Sequence, residues 1–263
     1  YNIGLLFHHG RGIRRNLTKS REWYQAAADQ GHAGAQNNLG SLYRRGQGVI
    51  RNYKTAAYWY RLAIDSNALA RNNLAFLYRY GLGVEKSNTE AARLLAWAAK
   101  SGHTKSIFDL GKLYEKGRGV AKNKPKAAEY YKQAASRGYH RAMYQMGLLH
   151  EQGTLVKRDL KIAATWHLNA AKKRYTSAQL RIANMYLDGR GVQQNYNQAR
   201  HWFLRASKRG HPHADYALGL MFEKGLGVNI DLKQARYHYK RAAKKKNQTA
   251  IKKLAQLSKK ISS

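Results

Sequence analysis

Cysteine is absent from the 263 residues, so neither disulfides nor thiolate metal ligands contribute, and redox compartment is left open. Proline occurs only twice, and alanine, leucine and tyrosine outweigh valine and isoleucine, a composition suited to helices and poor for strands. Acidic side chains are scarce, 14 against 49 lysines and arginines, which leaves a formal net charge of +35. No apolar run approaches the roughly 18 residues that would cross a bilayer as a helix, and the opening "YNIGLLFHHGRGI" lacks the basic-then-apolar plan of a signal peptide. Hydrolase motifs are missing too. There is no G-x-S-x-G and no S-x-x-K, and the acids show no pairing that would nominate a general acid and base.

What is present is a repeat. The stretch "GRGVAKNKPKAAEYYKQAASRGYHRA" from Gly117 has counterparts starting at Gly10, Gly46, Gly81, Gly153, Gly189 and Gly225, with steps of 36, 35, 36, 36, 36 and 36 residues. In the unit containing Ala35, Leu39, Gly40 and Tyr43, these four residues share one face of a first helix, here called helix A. Gly46 then ends that helix in the left-handed conformation, and Gly48 permits a second bend. An N-cap follows at Asn16, Asn52, Ser87, Asn123, Asp159, Asn195 and Asp231, and opens helix B. Counting from the cap, Ala56, Trp59 and Ala63 form one buried stripe, with the tryptophan expected to fill the space between units. Gly31, Gly102, Gly138 and Gly210 close helix B, and Asn67 is expected to replace such a glycine in the left-handed region.

Neither helix can bury its stripe alone, so the spacing predicts an all-α, right-handed α-α superhelical solenoid of about seven repeats and about fifteen helices. It is read as a single array over 1–263, with the first repeat truncated at its N-terminus and 249–263 forming a capping half-repeat that looks like a natural end. The mid-repeat start predicts a portion of chain upstream, where any export signal or lipid anchor would lie.

The motifs "A-x-x-x-L-G-x-x-Y-x-x-G-x-G-V" and "K-A-x-x-W-x-x-x-A-A-x-x-G" resemble Sel1-like repeats, relatives of the tetratricopeptide repeat. Ala70, Leu74, Ala75 and Tyr78 match the helix A pattern, as do Leu110, Gly111 and Tyr114, and Ala178, Ile182, Ala183 and Tyr186. The fifth unit departs from it: Leu155 stands where a second glycine is expected, His150 where tyrosine is usual, and Arg174 replaces the glycine that ends helix B. The resemblance implies a non-enzymatic protein-binding scaffold, in bacteria often exported to the envelope or periplasm or secreted. Some relatives resemble immunity proteins that neutralise lipase-type effectors.

Geometry carried over from tetratricopeptide-like solenoids places helix A on the concave face, where one rung reads Tyr1, Asn37, Asn72, Phe108, Tyr144, Leu180 and Tyr216. Phe108, Tyr144 and Tyr216 are the expected aromatic anchors, since such rings bury large area at small entropic cost; packing on neighbouring helices is the alternative for the rung. At the groove's edge stand Arg44, Arg45, Arg79, Glu115 and Glu151, basic first and then mixed, an order that would orient an elongated ligand. The positive field predicts an acidic partner: first a protein, then nucleic acid or an anionic lipid or glycan surface. No cofactor is expected. The repeated G-x-G lies between helices and lacks the P-loop lysine, and His8, His9, His211 and His213 have no metal-ligand partners in pattern.

Overall fold

The computed structural model describes the backbone of residues 1–262 and the side chains of residues 1–257. Lys259 and Lys260, part of the expected lysine-rich cap, lie outside the described side chains. Fifteen helices and no strands are found among the described residues: α1 (Asn2–His9), α2 (Leu17–Asp29), α3 (Ala33–Arg45), α4 (Tyr53–Ala63), α5 (Ala68–Tyr80), α6 (Asn88–Lys100), α7 (Thr104–Lys116), α8 (Lys124–Ser136), α9 (His140–Gln152), α10 (Leu160–Lys172), α11 (Thr176–Asp188), α12 (Tyr196–Lys208), α13 (Pro212–Lys224), α14 (Leu232–Lys244) and α15 (Gln248–Ser262). Odd-numbered helices are helix A of each repeat and even-numbered ones helix B. Consecutive helices pack as pairs, the arrangement of a solenoid. The chain divides into two compact units, Tyr1–Ala134 and Ala135–Ser263.

Each A-to-B turn is closed by the same residues. The first glycine, Gly46 for example, sits at φ 66° and donates its N–H to the Leu42 carbonyl. The cap residue then acts twice. Its backbone N–H donates back to helix A, as from Asn52 to the Tyr43 carbonyl at 2.9 Å, and its side chain accepts the Thr55 N–H at 3.0 Å. All seven caps named above accept a helix B N–H in this way. The turn with Leu155 keeps the closure too, with Asp159 N–H reaching the His150 carbonyl at 2.9 Å.

The second glycine is a spacer between repeats. A Cβ on Gly119 would collide with the Asn88 carbonyl at the start of α6, and one on Gly191 with that of Leu160 at the start of α10. Those backbones touch because there is no side chain between them.

In the first unit, Tyr24, Ala28, Ala35, Leu39, Leu42 and Trp59 form one core cluster, so Trp59 fills the space between α2, α3 and α4 as expected. Leu74, Leu77, Leu94, Leu110 and Leu113 carry a further one. In the second unit, Ala235, Tyr239, Ala242, Ala250 and Leu257 close the C-terminal end.

Helix B ends less uniformly than the glycines suggest. Arg174 takes the left-handed conformation without being glycine, at φ 64°, and so does Lys246 at φ 62°. Asn67 does not take it: at φ −124° it is extended and caps α5, its side chain accepting the Ala70 N–H at 2.9 Å. The reason is the 35-residue step, since this repeat is one residue short and the left-handed position is the one removed. The buried Arg71 compensates by donating to the Ile64 and Asp65 carbonyls, both at 2.5 Å, while its guanidinium lies 3.9 Å from the Trp97 ring centre.

Candidate functional site

The positions expected to contact a partner separate into two groups by burial. Asn37, Asn72, Phe108 and Glu151 are buried. Asn37 accepts from Asn73 at 2.9 Å, Asn72 donates to Ser106 at 3.0 Å, and Phe108 packs on Tyr131 with ring centres 5.3 Å apart. Tyr144 is half-buried against His167 and Tyr175, and Tyr216 is half-buried against Tyr239. Glu115 is half-buried and bonded inward, whereas Arg45 is exposed and Arg44 and Arg79 are partly so.

The acids at the end of helix A belong to a recurring pair that the sequence pattern did not reveal. Eight residues after each cap, helix B carries a large side chain, and where it is tyrosine or histidine its ring crosses a glycine of helix A and points its polar tip toward the position two before the turn glycine. Tyr131 lies across Gly111 and donates its hydroxyl to Glu115 at 2.7 Å. Tyr239 lies across Gly219 and donates to Glu223. His167 lies across Gly147, and its Nε2 donates to Glu151 Oε1 at 2.9 Å. Glycine under the ring is what lets the polar tip cross the helix. In the third and sixth repeats, where Leu95 and Phe203 have no polar tip, helix A carries Ala75 and Ala183 and no acid at the paired position. In the second repeat Arg44 Nε donates to the Tyr60 hydroxyl at 3.3 Å.

Two of these acids also take a cation from the following helix A. Arg181 forms a bidentate pair with Glu151, its Nε at 2.9 Å from both oxygens, and Lys253 Nζ reaches Glu223 at 3.0 Å. Burial alone would raise the Glu151 carboxyl, but hydrogen bonds and charge from His167 and Arg181 bring it down to about 2. Glu223 is held low for the same reasons by Tyr239 and Lys253 against its burial, and the Tyr131 hydroxyl is pushed up by burial and by Glu115.

Cations and aromatic rings remain open on helix A of the first unit. Phe76 is 38% exposed and Tyr80 54% exposed, with ring centres 4.8 Å apart. Arg44 stands 5.4 Å from the Phe76 centre and Arg79 5.4 Å from that of Tyr80. A pocket of about 310 Å³ in the same unit is lined by His8, Tyr24, Asn38, Asn73 and Arg45 among others, and no acid lines it. The anchors with the greatest exposure are therefore not those first nominated. Phe76 lies two positions after Leu74, and Tyr80 immediately before the turn glycine.

Among the described residues no group of His, Asp and Glu could hold a metal ion, and no helix is long and apolar enough to cross a membrane.

The Sel1 repeat family model matches residues 1–32, 33–67, 68–103, 104–139, 140–175, 176–211 and 212–247. No curated protein matches the sequence. Among solved structures, a protective antigen present in uropathogenic Escherichia coli strains is 31% identical with a TM-score of 0.85, covering 97% of this chain, which spans 55% of the antigen's length. A Sel1 repeat protein from Oxalobacter formigenes is 30% identical with a TM-score of 0.81, covering 97% of this chain and 74% of its own. An immunity protein from Pseudomonas aeruginosa shares the fold at 21% identity and a TM-score of 0.51, covering 81% of each chain.

Proposed function

Because this chain belongs to the Sel1 repeat family, we propose that it is a non-enzymatic interaction scaffold that grips an acidic protein with the helix A face of its first unit. The observation that supports this is the exposed Arg44–Phe76–Tyr80–Arg79 ladder. Here the Phe76 and Tyr80 rings face solvent as a pair, flanked by the partly exposed Arg44 and Arg79, and Arg44 also reaches the Tyr60 hydroxyl. Exposed rings give a partner large apolar area, and the flanking guanidinium groups select carboxylates. Net charge adds speed of encounter.

The test is affinity capture from the source cell at two salt concentrations with the wild-type chain and a Phe76→Ala/Tyr80→Ala variant. A protein retained by the first and lost by the second supports the reading; equal retention overturns it. Inhibition of a lipase-type effector is a narrower form of the same reading and requires stoichiometric silencing of the captured enzyme. Binding through phosphates would instead show a steep linear fall of log affinity with log salt.

A further inference from the structure

The paired position is filled differently in the first repeat. Where the fourth, fifth and seventh repeats put Glu115, Glu151 and Glu223, the first has His8, and the helix B partner is Tyr24. Tyr24 is fully buried, at 0% exposure, and its ring lies across Gly4 just as Tyr131 lies across Gly111. Yet its hydroxyl closes no hydrogen bond of full geometry, with the Ser20 and Asn38 side chains near enough only to interact with it, and Nδ1 of His8 has no partner. The two rings are 6.1 Å apart, and both line the 310 Å³ pocket. A buried hydroxyl without a full hydrogen bond is costly in a folded chain and calls for an explanation.

We infer that this pocket takes a carboxylate side chain from an acidic partner segment, which supplies in trans the group that Glu115, Glu151 and Glu223 supply in cis. The inference rests on the scaffold reading above and assigns that partner one specific contact. Three features fit it. Tyr24 has the orientation from which Tyr131 and Tyr239 donate to carboxylates. Asn38, Ser41 and Asn73 add neutral polar groups to the wall, and Arg45 adds a cation. The His8 imidazole is held below its ordinary value by burial and then by His9, Arg15 and Arg45, so the site has a positive field with no anion in it. In the fourth, fifth and seventh repeats the acceptor in this register is a carboxylate, a two-oxygen group able to meet a ring donor and a cation together.

The probe is a hexaglutamate peptide titrated into the full chain at low salt, followed by calorimetry and by the His8 imidazole resonances. Wild type is expected to bind with a shift at His8. Tyr24→Phe, which keeps the ring in the core, is expected to weaken binding roughly tenfold, the fold-change that about 1.4 kcal/mol gives. His8→Glu is expected to weaken it further, because its own carboxylate then takes the Tyr24 hydroxyl. Wild-type affinity in both variants with unmoved His8 resonances overturns the pocket assignment and leaves the acidic-partner reading standing. No binding of hexaglutamate by wild type overturns both. An equal His8 shift with inorganic phosphate overturns the carboxylate assignment. Far-UV circular dichroism confirms that each variant is folded, and His8→Glu serves if Tyr24→Phe is not.

Discussion

The fifth repeat and the first use one register in opposite ways. In the fifth, Glu151 is buried between His167 and Arg181 and all its acceptor capacity is used within its own unit. In the first, His8 and Tyr24 occupy the same two positions, face a pocket and have polar atoms that close no full hydrogen bond. The backbone is common to both: a glycine under the ring, a left-handed glycine at the turn, and a cap that bonds to both helices. The pair of side chains at these two positions therefore separates a repeat whose polar tips are bonded to each other from one whose polar tips are not. Stability and recognition can be divided among repeats because each is held mainly by its neighbours.

The largest effect should come from breaking the locked version. Glu151→Ala strips His167 and Arg181 of their shared acceptor and is expected to destabilise the chain by about 3 to 5 kcal/mol, measured by chemical denaturation. Next comes a contrast between spacer glycines. Gly119→Ala forces a Cβ into the Asn88 carbonyl and is expected to cost about 3 kcal/mol. Gly12→Ala, at the same register with nothing within 4 Å, should cost only the left-handed strain of about 1 to 2 kcal/mol. Equal losses at the two sites would contradict the spacer role.

Acid should separate the two repeats as well. The carboxyl of Glu151 lies at about 2 in the folded chain against an ordinary 4.5. A depressed carboxyl binds its proton more readily in the unfolded chain, so its contribution is complete above about 4.5 and lost as pH falls toward about 2. This contribution is on the order of 3 kcal/mol, and Glu151→Gln should flatten the stability profile in that window, whereas His8→Ala should leave it unchanged. The smallest effect is a gain: Arg174→Gly relieves a non-glycine residue at φ 64° and should stabilise by about 1 kcal/mol. Thermal unfolding is the check.

Much of the fold is legible in the sequence because glycine and cap chemistry is local. A left-handed φ at Gly46 or a capping bond from Asn52 depends on a few neighbouring residues, so spacing alone predicts both. Asn67 was legible only in part: the 35-residue step signals a deletion, but which position is lost depends on Arg71 reaching back to two carbonyls. The site was less legible. Phe108 and Phe76 are both aromatic residues on helix A, yet one is 8% and the other 38% exposed, and the difference comes from packing across helices. Glu115 and Glu151 look like groove-edge acids in sequence, whereas their partners Tyr131 and His167 lie 16 residues away. A signal did exist: a helix A glycine occurs with a polar-tipped ring eight residues past the next cap, and alanine occurs with Leu95 or Phe203.

A double-mutant cycle on the full chain tests most directly whether the first repeat carries an unfilled version of the locked pair. Unfolding free energies are measured for wild type, His8→Glu, Tyr24→Phe and the double variant. His8→Glu is expected to stabilise by about 1 to 2 kcal/mol, and most of that gain is expected to vanish when the Tyr24 hydroxyl is removed as well. A His8→Glu variant no more stable than wild type, or a gain unaffected by Tyr24→Phe, would contradict an unfilled pair in the first repeat.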